Sequence, residues 1–302
     1  MLMLERLKYI AAVVLYGTIG LFLRQIALPS EAAALCRGII GAGFIFLFLV
    51  LRKQKPDRDA IRRELRLLLL SGIFLGLNWI FLFAAYIKTT VAIASLCNYT
   101  APAIVILIAP LVLREPLNLR KLPCAAVAVV GIVLVTGVPG GELGNPAGIA
   151  LGLAAALCFV GIVICNRKMR TVTAYDRAMV QLITAAATIL PYVVLHNIGK
   201  PVSVDLHSVV IVLVLGVVHT GVAYCLYFSG MAKLPVQTVA VLGYLEPVVS
   251  VLCSVLFLQE KLPLIGWIGA VLVIAAAAAG ELIGNDDNHP ACNSTIDKKS
   301  GG

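Results

Sequence analysis

Val236 to Leu262 reads VQTVAVLGYLEPVVSVLCSVLFLQEKL, an apolar run with Tyr244-Leu245-Glu246-Pro247 at its centre and Leu258-Gln259-Glu260-Lys261 near its close. The same skeleton stands 145 positions earlier, as Tyr99-Thr100-Ala101-Pro102 followed by Leu113-Arg114-Glu115-Pro116. Without a gap, residues 76 to 119 repeat with 12 identities in 44 positions, among them Tyr99 with Tyr244, Pro102 with Pro247 and Glu115 with Glu260. Apolar-for-apolar matches come easily in such a composition; matched Pro, Tyr and Glu do not. The chain is a duplicated unit.

Composition sets the solvent in which that unit folds. Hydrophobic residues make up 61% of the 302 and charged residues 13%, with a mean hydropathy of +1.00. That leaves too little polar surface to cover a soluble core, and each half supplies apolar runs of the roughly 20 residues that a membrane-spanning helix needs. The runs predict an all-α integral membrane protein with ten transmembrane helices, at about 8–28, 32–51, 67–87, 91–113, 121–138, 147–166, 175–196, 209–230, 236–258 and 263–284. A hydrophilic loop, Arg52–Arg66, separates the second helix from the third. The turn-rich stretch 139–146 divides a first repeat, 1–138, from a second, 147–284. A polar tail, 285–302, reads as disordered and cytoplasmic.

Charge gives the orientation. With the N-terminus inside, 19 of the 24 basic residues fall on the inner side, against Lys88, Lys200 and Lys261 outside and Arg24 and Arg37 within helices. That is the positive-inside pattern of a multi-pass protein of the cytoplasmic membrane with both termini in the cytoplasm. The net charge of +9 is therefore a topology signal and implies no nucleic-acid partner. Arg52–Arg66, with seven basic and three acidic residues, is either a plain cytoplasmic loop or a contact for anionic lipid. Five helices per repeat is an odd number, so the second copy enters the bilayer inverted relative to the first. Inverted repeats are a transporter architecture with the substrate site at the midplane.

Two five-helix units with Pro in the fourth helix and Glu just past its end resemble the EamA-type members of the drug/metabolite transporter superfamily. His219-Thr220-Gly221-Val222-Ala223-Tyr224, Tyr227-Phe228, Tyr244-Leu245-Glu246-Pro247 and Leu258-Gln259-Glu260 look like that family's second repeat, and the resemblance extends to Gly284. It implies a carrier of small metabolites such as amino acids, aromatic or amphipathic compounds, with a site between the repeats lined by helices one, three, four, six, eight and nine.

Glu246 lies roughly 15 Å along its helix at the α-helical rise, where an ionisable group is costly and points to function. It can exchange a proton, pair with a substrate amine, or tie helices together by hydrogen bonding. Its repeat partner is Ala101, so the duplication does not require it. Arg37 is likewise unmatched, either snorkelling to the interface or recognising a substrate carboxylate or Glu246. Arg24 reads as an interfacial anchor. Trp79 pairs with Tyr224 and Tyr99 with Tyr244 across the repeat. All four sit near helix centres rather than in an interfacial belt, where polar-tipped aromatics suit a partly wet wall. Asn78, Ser95, Asn98, His219 and Thr220 add polarity, and Tyr16 is a weaker candidate. The substrate-binding set is thus Trp79, Asn78, Asn98, Tyr99, Tyr224, Tyr244, His219 and Arg37, with Glu246 for proton coupling or a substrate amine. Pro102 and Pro247 are expected to kink their helices. Glu115 and Glu260 read as structural.

The eight cysteines and four histidines show no C-x-x-C pair or metal-ligand spacing, so the sequence implies no disulfide framework, metal or cofactor. A secondary exporter working by alternating access, as monomer or homodimer, with protons as a candidate partner, is the leading expectation. A membrane-embedded enzyme or lipid-handling protein using Glu246 in an apolar pocket is the alternative. Near-symmetry across the membrane favours the carrier, because catalysis has no need of it.

Overall fold

A computed structural model describes residues 2–23, 25–89, 91–113, 119, 121–136, 145–197, 205–258 and 264–286. These residues are helical almost throughout: α1 Leu2–Leu23, α2 Ser30–Leu51, α3 Arg58–Lys88, α4 Val91–Asn98, α5 Ala101–Leu113, α6 Lys121–Thr136, α7 Pro146–Lys168, α8 Ala174–Asn197, α9 Leu206–Gly216, α10 Ala223–Lys233, α11 Val236–Gly243, α12 Leu245–Leu258 and α13 Leu264–Asp286. A π-helical turn, Val217–Val222, joins α9 to α10 in one rod. Among the described residues, seven helical stretches are long and apolar enough to cross a bilayer, and three shorter apolar helices lie at Ala101–Leu113, Leu122–Leu134 and Leu264–Ala276. Glu115, Glu260, Arg24 and most of the 139–146 turn cluster lie outside the described residues.

Two sequence expectations need correction. Arg52–Arg66 is not all loop, because α3 begins at Arg58 and runs 31 residues. At about 1.5 Å per residue it outreaches the roughly 30 Å hydrocarbon core, so its first turns need no lipid. Asp57 starts it, accepting hydrogen bonds from the Asp59 and Ala60 backbone N–H groups, as an N-cap does. The fourth and ninth helices are each broken, between Asn98 and Ala101 and at Tyr244. Both breaks fall at matched positions just ahead of Pro102 and Pro247, whose missing N–H and ring crowd the preceding turn.

The packing follows the duplication. Exchanging α1, α2, α3, α4–α5 and α6 with α7, α8, α9–α10, α11–α12 and α13 turns the main contacts into one another. Thus α3 on α7 matches α10 on α1, and α3 on α8 matches α2 on α9 and the π turn. The pairs α2–α8 and α6–α13 map onto themselves, as does the broken pair α4–α5 against the broken pair α11–α12, which meet through α5 and α11. One core gathers Tyr9, Ile45, Leu75, Trp79, Leu182 and Phe228; another gathers Val105, Ile106, Val160, Val241, Tyr244 and Val273. Large apolar side chains such as Leu51, Leu111, Leu195, Phe257 and Trp267 face outward, as they do where lipid is the solvent. Close approach of helices depends on small residues. At Gly72 and Gly76 of α3, a Cβ would lie 2.5 Å and 2.6 Å from the Cβ atoms of Thr184 and Thr188 on α8.

Candidate functional site

Between the halves lies a cavity of about 530 Å³. Its wall is drawn from α1, α2, α3, the broken pair α4–α5, α7, α10 and the broken pair α11–α12. Seven of the nine residues singled out for substrate or proton binding reach it: Arg37, Asn78, Trp79, Asn98, Tyr99, Tyr224 and Glu246. Ser95, Pro102 and Tyr16 join them.

Two side chains of the expected set do not reach the wall. Tyr244 is 0% exposed and belongs to the core around α5, α11 and α12. His219, 3% exposed, is hydrogen-bonded through Nε2 to Thr18 Oγ1 at 2.9 Å and stands edge-on to Phe22. The π turn explains it: a wider turn shifts the helical phase, so His219 leaves the face that regular spacing would share with Tyr227. Thr220, in the same turn, closes on itself by donating to the Leu215 carbonyl at 2.9 Å.

The charged pair is arranged differently from a salt bridge. Among the described residues, no ion pair within 4.0 Å joins Arg37 to Glu246. The Arg37 guanidinium instead lies over the Trp79 ring, 4.8 Å from its centroid, a cation–π contact that holds the charge at the cavity wall. Glu246 occupies the first turn of α12, directly after the Tyr244 break.

One end of the cavity is shut by tyrosines. Tyr9 lies 5.0 Å from Tyr227, ring centre to ring centre and tilted by 34°, and Tyr16 meets Tyr224 at 5.6 Å and Tyr227 at 5.7 Å. The Tyr9 hydroxyl donates to the Val239 carbonyl at 3.0 Å. Beyond them Glu5, 2% exposed, takes Lys233 at 2.9 Å and Lys8 at 3.2 Å. Toward the opposite end the lining includes Gly20 and Ser30, both exposed. The sequence reading passed over Tyr9, Tyr86 and Ser250, which also line the cavity. Tyr9 and Tyr16 stand seven residues apart, two helical turns, and that spacing was the available signal.

The EamA-like transporter family profile matches this chain twice, over residues 5–137 and 146–279. The chain belongs to the EamA-like transporter family. Its relatives include "Uncharacterized transporter YxxF" of Bacillus subtilis, 24% identical over 278 residues (90% of this chain, 88% of that one). Another is Protein PecM of Dickeya dadantii, 29% identical over 260 residues (82% and 83%). A third is the "Probable amino-acid metabolite efflux pump" of Escherichia coli, 27% identical over 243 residues (76% and 79%). A solved crystal structure superposes with a TM-score of 0.80 at 20% identity, over 93% of this chain and 98% of that one, which bears on the fold. In this EamA-like chain Pro102 of the matched proline pair lines the cavity, whereas Arg37, Asn78, Asn98 and Glu246, which also line it, have no like partner in the other repeat.

Proposed function

We propose that this EamA-like protein is a secondary exporter of small metabolites (amino acids, aromatic or amphipathic compounds) that works by alternating access between two inverted five-helix repeats. The repeats are 1–138 and 147–284, with the termini in the cytoplasm. The cavity between the halves carries the reading: its volume of about 530 Å³ lies within the range of small-molecule sites, roughly 300–1,000 Å³. Its wall combines Trp79, Tyr99, Tyr16 and Tyr224 with the Arg37 cation and the Glu246 carboxyl group, which suits an aromatic or amphipathic cargo bearing polar ends. In this topology the shut end, with Tyr9, Tyr227 and the Glu5–Lys233 pair, is cytoplasmic and the cavity faces outward. The family match favours carriage over a membrane-embedded enzyme or lipid-handling protein.

Glu246→Gln in proteoliposomes, with and without a pH gradient, tests the part played by the carboxyl. As the proton-coupling group, its replacement abolishes proton-driven net flux while labelled-substrate exchange persists and loses its pH dependence. As the partner of a substrate amine, its replacement abolishes exchange as well, because the counter-charge is gone at every pH. Net flux and exchange that both survive with an unchanged pH profile would remove Glu246 from the mechanism.

A further inference from the structure

The amide of Asn98 has an orientation that chemistry alone dictates. Asn78, on α3 and 6% exposed, lies with one terminal side-chain atom 2.8 Å from the backbone carbonyl oxygen of Ala155 on α7. A carbonyl oxygen only accepts, so that atom is Nδ2. The same Nδ2 lies 3.1 Å from the amide of Asn98, the last residue of α4. Two –NH2 groups cannot bond to each other, so the Asn98 atom that faces Asn78 is Oδ1. Both Nδ2 protons of Asn78 are then committed, one to each oxygen. The Asn98 –NH2 is left with no hydrogen-bond partner among the described residues, on a half-buried side chain that lines the cavity.

We infer that Asn98 is a specificity-determining residue that presents N–H donors, and not its carbonyl, to the cargo, and that Asn78 is the positioning residue that prevents the amide from flipping. The cargo therefore carries an acceptor oxygen, carboxylate or carbonyl, at the α4–α5 break. This rests on the cavity being the cargo site and adds the chemistry of one of its walls. The repeat supports a dedicated role, because the equivalents of Asn78 and Asn98 are Ala223 and Gly243, which have no polar side chain. Gly243 and Glu246 line the matching break at Tyr244, so one broken helix offers a donor and the other a carboxyl group.

The probes are phenylalanine and phenethylamine, which share ring and ammonium and differ in the carboxylate, with binding measured on the purified full-length protein. One hydrogen bond contributes about 0.5–1.5 kcal/mol, or 1.5–3 with a charged partner, so the wild type should favour phenylalanine by roughly tenfold or more. Asn98→Leu should bring the ratio toward one, by lowering phenylalanine affinity more than phenethylamine affinity. Asn98→Asp, which substitutes an acceptor, should invert it. Asn78→Leu, which frees the amide to rotate, should lower the ratio part-way, to a value between those of the wild type and Asn98→Leu. An undiminished ratio in Asn98→Leu would overturn the inference and assign the carboxylate to Arg37. A wild type that binds both probes equally would overturn it too. Binding of neither probe by the wild type, or binding unaffected by Trp79→Ala and Tyr224→Ala, would take down the cavity reading itself and the inference with it. Circular dichroism and elution volume identify any variant that has not folded, and Asn98→Asp, close in shape to the native side chain, is then the deciding one.

Discussion

Replacing Gly76 with alanine adds one methyl group where α3 crosses α8, and the structure gives its consequence. The new Cβ would lie 2.6 Å from Thr188 Cβ, 2.9 Å from Thr188 Cγ2 and 2.9 Å from the Ala185 backbone carbonyl oxygen. Neither Thr188 Cβ nor that carbonyl can swing away as a side-chain tip does, so the helices must part by roughly 1 Å to reach ordinary contact distances. Overpacking of this kind costs about 1–3 kcal/mol, against which alanine recovers about 1 kcal/mol of helix propensity. Gly43 supplies the control, because a Cβ there meets nothing within 4 Å and Gly43→Ala gains the propensity alone. The difference between the two variants thus isolates the crossing, at about 1–3 kcal/mol. Thermal and denaturant unfolding in detergent, followed by tryptophan fluorescence, should place Gly76→Ala below both the wild type and Gly43→Ala. Gly76→Ala as stable as Gly43→Ala would refute the reasoning and mean that α3 and α8 do not touch at this point.

Trp79→Ala and Tyr224→Ala should each raise the half-saturation concentration for an aromatic cargo severalfold while protein levels in the membrane stay normal; unchanged saturation curves in both would return these rings to packing. A cysteine at Asn145 should react with an impermeant maleimide from outside intact cells, and one at Arg58 only after permeabilisation; reaction of both from the same side would break the ten-helix topology. Asp205 caps α9, and hydrogen bonds from the Ser208 side chain and backbone hold its carboxyl below the usual 3.8. A depressed acid contributes stability above its unfolded value and loses it as pH falls through the folded one. The Tm advantage of the wild type over Asp205→Ala should therefore shrink as pH is lowered from 6 to about 3, and a constant advantage would count against the cap.

Much of the fold was legible because lipid imposes it. Each crossing needs a long apolar run, the loops between runs are short, and a 145-residue offset aligns the two halves with no gap. What the sequence could not give was helical phase. Pro102 and Pro247 marked where helices four and nine would yield, but a proline's effect ranges from a bend to an open turn, according to what packs around the freed carbonyls. The turns open at Asn98–Ala101 and at Tyr244, and phase computed through an open turn is lost. Tyr244 has the height in the bilayer that the repeat gave it and the wrong azimuth, so it packs into a core. His219 lost its place for the same reason one helix earlier, because no residue pattern announces a π turn.

The unmatched residues connect these observations. Much of what the two repeats share builds frame, the prolines at the breaks and apolar positions on matched helix crossings, although the shared Tyr99 also lines the cavity while its partner Tyr244 packs in a core. Three polar residues that stand against a residue with no polar side chain, Asn78 against Ala223, Asn98 against Gly243 and Glu246 against Ala101, line the cavity, whereas His219, against Phe74, lies in the π turn and does not. A duplicated frame supplies two near-equivalent conformations, and both copies must keep it if neither conformation is to lie far below the other in energy. Cargo is an asymmetric molecule in a single cavity, so its recognition groups need to occur only once, in one repeat or the other. Divergence between the halves at cavity positions is therefore what a carrier evolving from a duplicated unit should accumulate. Restoring symmetry tests this directly: Ala101 is 1% exposed in a core and also lines the cavity, so Ala101→Glu, which copies Glu246 onto the first repeat, should lower stability and alter the cargo preference of the protein that folds. An unchanged preference in the folded variant would show that position 101 is frame rather than wall.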